Sequence, residues 1–322
     1  MCLLLFRGYD MNSLNHNRSI AVLGGLGFIG SHLCRALVSA NYHVRIFDRL
    51  YASRRLIKDI EHQVEIVEGD IARQGDVISA IKDVDMVFHL IHTTVPASSM
   101  RDPVYDIASN VAGCVHWLKN LSKTRVSQIF YVSSGGTVYG PAPTQPISEN
   151  HPTNPINSYG ITKLAIEKYV AMYASMFDIT YRILRPSNVY GIGQKLHIEQ
   201  GIIGVMANLA MHQQPLEVWG DGDFTRDYIH ISDLVNACMG LLSYKGIERI
   251  FNISSSVGHS VLDIIELLRE HIAPFPEVQY KSQRNFDVPS NILDNTKLRE
   301  ELCWYPQIKL IDGIAEVVQW LK

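Results

Sequence analysis

Tyr159 and Lys163 stand four residues apart in Ser158-Tyr159-Gly160-Ile161-Thr162-Lys163, and the chain continues Leu-Ala-Ile-Glu-Lys-Tyr-Val-Ala-Met. That run reads as a helix, so both side chains project from one face. A phenol with an ordinary pKa of about 10 is a poor base at neutral pH, but a neighbouring ammonium favours the phenolate and moves it toward working pH. Such a pair can take a proton from an alcohol. Upstream, Ser133-Ser134-Gly135-Gly136-Thr137-Val138-Tyr139-Gly140 supplies hydroxyls in a glycine-rich turn. His89 and His92 have no third ligand nearby in sequence, so a structural or cofactor-lining role is expected of them and no metal site is.

These residues need a scaffold, and the chain spells one out. Residues 19–23 form a short apolar strand that runs into Gly24-Gly25-Leu26-Gly27-Phe28-Ile29-Gly30 and then a helical pattern to about Ala40. Strand, glycine turn and helix suit a pyrophosphate: glycines at 24, 27 and 30 permit a tight turn and close backbone approach, and the helix start offers free N–H groups. The spacing is GxxGxxG rather than GxGxxG. A second strand, 43–47, closes on Asp48, placed to accept from adenosine ribose hydroxyls. Its carboxylate would repel a 2'-phosphate, which favours NAD over NADP, although Arg49 follows directly. Strands at 64–68, 86–90, 128–132 and 180–184 alternate with helices at 76–81, 105–121 and 158–177. Alternation predicts an α/β protein with a doubly wound parallel Rossmann sheet. Ligands of such sheets bind beyond the carboxyl ends of the strands, where Asp70, 90–92 and Ser133-Ser134 fall. After Arg185-Pro186-Ser187-Asn188-Val189-Tyr190-Gly191 the pattern loosens through 191–229, and a helix at 310–321 ends the chain.

Length and composition set outer bounds. At 322 residues the chain exceeds one typical core. We expect a loose extension at 1–18, with Met11 as an alternative start, and an NAD-binding Rossmann domain at 19–190. A smaller α/β substrate-binding lobe at 191–322 would return a segment to the first domain. A net charge of -3 with interspersed signs gives no support for nucleic-acid or membrane-surface partners. Five widely spaced cysteines without a CxxC argue against a disulfide framework and for the cytoplasm. No apolar run is long enough for a membrane span.

The motifs Gly24 to Gly30, Gly69-Asp70, His89-Leu90, Asn110-Val111-Ala112-Gly113, Ser133 to Gly140, Tyr159 to Lys163, Arg185 to Gly191, Gly220 to Tyr228 and Asp294-Asn295-Thr296-Lys297 occur in this order. Together they resemble the extended short-chain dehydrogenase/reductase family, and within it the NAD-dependent sugar-nucleotide epimerases and dehydratases. The resemblance implies that Tyr159 is the base, that Lys163 holds the nicotinamide ribose, and that a hydroxyl bonds the sugar. It places that hydroxyl at Gly135, so Ser134 is the expected replacement and Thr137 the second choice. Cofactor contacts are implied for Gly24, Gly27, Phe28, Ile29, Gly30, Asp48, Asp70, Ile71, Leu90 and Asn110. Substrate contacts are implied for Asn188, Arg226 and Arg284, the arginines suiting a diphosphate. Asn291 occupies a gatekeeper position that is a bulky tyrosine in some relatives, leaving room for an N-acetyl group. The dehydratases carry an Asp-Glu pair where this chain has Gly136-Thr137, so dehydration lacks its acid.

Epimerisation at C4 of a UDP-linked sugar is therefore the leading expectation. A keto-sugar reductase and a noncatalytic nucleotide-sugar-binding relative are the alternatives. The resemblance also implies a homodimer through the helices at 105–121 and 158–177, and a role in polysaccharide synthesis. Residues 93–99 are expected to roof the sugar site.

Overall fold

The computed structural model describes residues 18–196, 201–282 and 290–322. The expectations placed on residues 1–17 and on Arg284 lie outside the described residues.

β1 (Ser19–Leu23) enters α1 (Phe28–Ser39) through the glycine turn, and β2 (His43–Asp48) and β3 (Val64–Glu68) follow. Gly30 lies against that turn so closely that a Cβ would stand 2.2 Å from the Gly24 carbonyl oxygen. Only glycine lets the helix start this near the strand. Next come α2 (Gln74–Ile81) and β4 (Met86–His89). The expected roof segment is helical: α3 (Pro96–Arg101) is followed by α4 (Pro103–Asp106) and α5 (Gly113–Leu118). Between α4 and α5, residues Ile107–Ala112 form a π-helical stretch rather than the uninterrupted helix expected. Ser109 Oγ and Asn110 Nδ2 donate to the carbonyls of Tyr105 and Asp106 at 2.7 and 3.1 Å, competing with the backbone ladder there.

β5 (Gln128–Val132) ends in a single-turn helix α6 (Gly135–Val138), ahead of the long α7 (Ser158–Met176). Asn157 caps α7 by accepting from the Gly160 N–H at 2.8 Å. β6 (Thr180–Pro186) and β7 (Asn188–Tyr190) follow, then α8 (Ile202–Met211), β8 (Leu216–Trp219) and β9 (Thr225–His230). α9 (Ile231–Leu242) leads to β10 (Ile250–Ile253). The chain finishes with β11 (Gly258–His259), α10 (Val261–Arg269), β12 (Val278–Lys281), β13 (Ser290–Asn291), α11 (Thr296–Leu302) and α12 (Leu310–Leu321).

The large sheet is seven-stranded, in the order β10-β6-β5-β4-β1-β2-β3, and every pairing in it is parallel. β4 and β5 are buried at every residue, as strands covered on both faces must be. Alternation along β1 divides the core: Ile20 and Val22 pack with Leu33 and Leu37 of α1, while Ala21 and Leu23 join Trp117 and Ile166 on the other face. β10 and α9 come from beyond residue 230 yet belong to this body, α9 packing beside α1. α11 also packs on this body, beside β10, while α8, β8, α10 and α12 build a lobe around Ile203, Met206, Val218, Ile264 and Val317. Its small sheets join β12 to β8 and gather β7, β11 and β13 around β9.

Candidate active site

A cleft of about 880 Å³ opens at the carboxyl ends of the large sheet and runs to the lobe. Gly24, Gly27, Phe28, Ile29 and Gly30 line one end, Ser134, Thr137, Tyr159 and Lys163 its middle, and Asn188 and Arg226 the lobe side. No side chain caps the start of α1, so its first-turn N–H groups remain available to an anion. Leu90 and the roof residues Thr94, Pro96 and Ser98 also border the space.

Tyr159 and Lys163 share the buried face of α7 with Glu167, at successive four-residue steps. Lys163 is 3% exposed. Its Nζ donates to the Val132 carbonyl at 2.9 Å and stands 5.6 Å from the Tyr159 ring centre. Burial pulls the ammonium down to about 7, against the pull of Glu167 and Asp106 toward the charged form. The expectation that Lys163 lowers the tyrosine is not met by this arrangement. Burial holds the Tyr159 phenol above its ordinary value, and the negative charge of Asp106 adds to that.

Asp106 lies behind the pair. Its fully buried carboxylate accepts from Thr94 Oγ1 at 2.5 Å, Ser158 Oγ at 2.7 Å, Thr162 Oγ1 at 3.1 Å and Asn110 Nδ2 at 2.9 Å. Burial alone would raise it, but His92, Thr94 and Ser158 outweigh that and keep it ionised. His92 stacks edge-on against Tyr159 at 4.5 Å. Burial, then the Lys163 charge, depress His92 to about 4 and His89 to about 3, so both rings are neutral at pH 7. Among the described residues no group of three or more His, Cys, Asp or Glu could hold a metal ion.

The hydroxyl question has a geometric answer. A Cβ at Gly135 would stand 2.3 Å from Leu293 Cδ1 and 3.1 Å from the Arg185 carbonyl oxygen. Leu293 therefore fills the space a side chain at 135 would need, and that side chain would meet the packed floor. Ser134 and Thr137 both border the cleft, and Thr137 Oγ1 is buried without a partner.

Other expected residues do not reach the wall. Asp48 sits at the end of β2, accepting from the N–H groups of Leu26 and Arg49 at 3.0 and 2.9 Å. Asp70 is exposed and accepts from the Ala72 N–H at 2.9 Å, and Ile71 is buried next to it. Asn110 is buried, its Oδ1 accepting from the Thr93 N–H at 2.8 Å. It shapes the roof from behind. Asn291 is 3% exposed and stands opposite Arg226 in the pairing of β13 with β9. Its Nδ2 lies 3.5 Å from the Gly135 carbonyl oxygen and its Oδ1 has no partner. Its side chain thus meets the Gly135 turn and does not line the cleft.

Asn188 donates to the Asp227 carbonyl at 2.9 Å, and Arg226 donates to the Thr225 carbonyl at 2.9 Å. Asp227 is buried and braces the lobe side, accepting from Ser255 Oγ at 2.8 Å and from the N–H groups of Ser255, Ser256 and Leu293 at 3.0, 3.1 and 3.3 Å. Sequence reasoning missed Lys195, Glu217 and Trp219, which line the lobe end. It also missed Glu167, whose spacing from Tyr159 and Lys163 was the available signal.

Residues 20–254 match the NAD dependent epimerase/dehydratase family. The chain is 31% identical over 306 residues to a UDP-glucose 4-epimerase of Mycolicibacterium smegmatis, covering 94% of this chain and 97% of that one. It is equally 31% identical, over 309 residues and with the same coverage, to a dTDP-4-dehydro-6-deoxyglucose reductase of Escherichia coli. The crystal structure of a UDP-glucose 4-epimerase with UDP-glucose from Thermotoga maritima superposes with a TM-score of 0.86 at 31% identity, covering 94% of this chain and 98% of the other. The glycine cradle, the buried Tyr159 and Lys163 and this whole-length similarity agree: the chain belongs to the NAD-dependent epimerase/dehydratase family.

Proposed function

We propose that the chain epimerises C4 of a UDP-linked hexose, UDP-glucose/UDP-galactose or UDP-GlcNAc/UDP-GalNAc, through a transient 4-keto sugar. The observation that carries this reading is the cleft itself. Tyr159 and Lys163 border it beside Ser134 and Thr137, with Arg226 toward the lobe and no carboxyl group at 136 or 137 to expel water.

The residues fit a dinucleotide. The Gly24–Gly30 turn leaves no room for a Cβ at 30, uncapped N–H groups open α1, and Asp48 stands beside the turn for a ribose. Bound in its oxidised form, NAD supplies a pyridinium cation and a hydride acceptor. Lys163 would hold the nicotinamide ribose. Ser134, or Thr137 in its place, would bond the sugar O4 and orient it toward Tyr159. Tyr159, ionised as its phenolate against the pull of burial by the Lys163 and pyridinium charges, would take the O4 proton as C4 gives up hydride, and would return it as hydride comes back to the other face of C4. Arg226 and Asn188 would hold the diphosphate end, Arg226 through the paired donors of its guanidinium. The buried walls keep water from the keto sugar.

Purified protein given UDP-glucose and UDP-GlcNAc without added reductant should form the C4 epimers by NMR, with no net change in cofactor absorbance. Asn291→Tyr, which enlarges the side chain behind Gly135, should lower the ratio of acetylated to plain sugar turned over. The similarity to the E. coli reductase favours a second reading, reduction of a 4-keto sugar nucleotide. In that case reduced cofactor is consumed one for one and UDP-hexoses are not epimerised. Binding without either reaction would fit a noncatalytic nucleotide-sugar-binding protein.

A homodimer is part of this proposal. Val104, Tyr105 and Ile107, with Ile161, Tyr169 and Met172 of α7, are large apolar side chains left exposed on the single chain. Light scattering should give twice the monomer mass, and Ile161→Glu should halve it. Cys34, Cys114, Cys238 and Cys303 are unpaired, which suits the cytoplasm. No helix among the described residues is long and apolar enough to cross a membrane.

A further inference from the structure

Beneath the glycine-rich turn lies an ion pair that the proposed chemistry does not use. Glu167 of α7 and Arg185 of β6 are both nearly inaccessible, at 3% and 2% side-chain exposure. Arg185 Nη2 donates to Glu167 Oε2 at 2.6 Å and Arg185 Nε to Oε1 at 3.0 Å, a two-pronged contact. Each partner has one further contact within the 133–139 turn. Ser133 Oγ donates to Glu167 Oε1 at 2.5 Å, at the start of that turn. Arg185 Nη1 donates to the Tyr139 hydroxyl at 3.0 Å, at its end, and the guanidinium lies 4.9 Å from the Tyr139 ring centre. The Tyr139 hydroxyl in turn donates to Asn252 Oδ1 of β10 at 2.7 Å.

We infer that the Glu167–Arg185 pair is a clamp that sets the catalytic hydroxyl against the catalytic tyrosine, making Glu167, Arg185, Ser133 and Tyr139 positioning residues. The geometry carries this in two ways. The clamp grips both ends of the segment that holds Ser134 and Thr137, so the turn cannot shift without breaking a charge-assisted hydrogen bond. Its Glu167 side also grows from the helix face that carries Tyr159 and Lys163, two turns further along. The distance from hydroxyl to phenol is thereby fixed through side chains as well as through the sheet. Ser133 and Ser134 both border the cleft: the hydroxyl of Ser133 is spent on Glu167, while Ser134, at φ -153° and ψ 107°, is still extended.

The inference rests on the proposed role of Ser134, and the test separates the two. Replacing Glu167 or Arg185 would strand a buried charge and is expected to unfold the protein, so the grips are cut one at a time with the pair intact. Ser133→Ala and Tyr139→Phe should each lower kcat about tenfold, since displacements of order 1 Å at a reacting group cost up to about a hundredfold. KM and NAD affinity by fluorescence titration should change little, while the buried partners left unpaired should lower the thermal midpoint. The deciding measurement repeats both substitutions in a Ser134→Ala background, with whichever of UDP-glucose and UDP-GlcNAc the parent turns over. There the further loss should shrink below about twofold, because the hydroxyl being positioned is gone. Equal losses in both backgrounds, or losses confined to thermal stability with kcat intact, overturn the clamp while leaving Ser134 in its role. Full turnover by Ser134→Ala alone overturns the role of Ser134 and the clamp with it.

Discussion

Lys163→Met should yield an inactive protein that is more stable than its parent, by an amount that shrinks as pH rises. Methionine keeps the length and apolar stem of lysine and removes the charge. In the unfolded chain the ammonium keeps its ordinary 10.5, and in the folded protein burial brings it to about 7. Below 7 both states carry the proton and the full cost of the buried charge is present. Between about 7 and 10.5 only the unfolded chain stays protonated, so the parent gains stability with pH across that window. At about 1.4 kcal/mol per pH unit the full cost is roughly 5 kcal/mol, falling to roughly 2 kcal/mol at pH 9. The hydrogen bond from Nζ to the Val132 carbonyl offsets about 1 to 2 kcal/mol at either pH. Urea unfolding followed by circular dichroism should therefore favour the methionine variant by about 3 to 4 kcal/mol at pH 6, with the gap about 3 kcal/mol smaller at pH 9. A gap that does not change with pH, or a methionine variant less stable at pH 6, would refute the reasoning. The charge would then be satisfied in the folded protein by Glu167 and Asp106 more fully than its burial allows.

Tyr159→Phe should lose about a hundredfold to ten-thousandfold in turnover, the usual worth of a positioned acid-base group, with NAD binding retained by fluorescence. Gly30→Ala places a methyl 2.2 Å from the Gly24 carbonyl oxygen and should abolish NAD binding measured by calorimetry, whatever remains of the fold. Gly135→Ala meets Leu293 at 2.3 Å and should cost about 1 to 3 kcal/mol in urea unfolding, as overpacked cores do. The loss should be smaller when measured against Leu293→Ala. Arg226→Ala should weaken UDP binding by about tenfold to a hundredfold with little change in thermal midpoint, the worth of one charged hydrogen-bonding group.

How far the sequence could be read depended on whether the signal was local. β1 with the glycine turn, the alternating strands to β6 and the terminal α12 are written in contiguous patterns, and each stands within a residue or two of its expected place. Tyr159 and Lys163 were legible for the same reason, since helical spacing alone brings them together. What sequence reasoning missed needed contacts across the chain. That Leu293 occupies the side-chain space of Gly135 joins residues 158 positions apart, and no spacing rule connects them. Asn291 looked like a wall residue by correspondence, but its amide lies against the Gly135 carbonyl, a contact between residues far apart in the chain. Asp106 was hidden because the four side chains that donate to it come from three separate segments. The rise of the Tyr159 phenol was missed because a neighbouring cation is visible in sequence and burial is not.

β10 adds its edge to β6 only after β7, α8, β8, β9 and α9 have been made. During synthesis β6 therefore waits, with one row of backbone donors and acceptors unpaired, until roughly four-fifths of the polypeptide has left the ribosome. An open parallel edge of that kind recruits other strands. Nascent chains stalled before residue 250 should be the aggregation-prone species, and the nucleotide-binding half should be unable to mature as a separately expressed fragment.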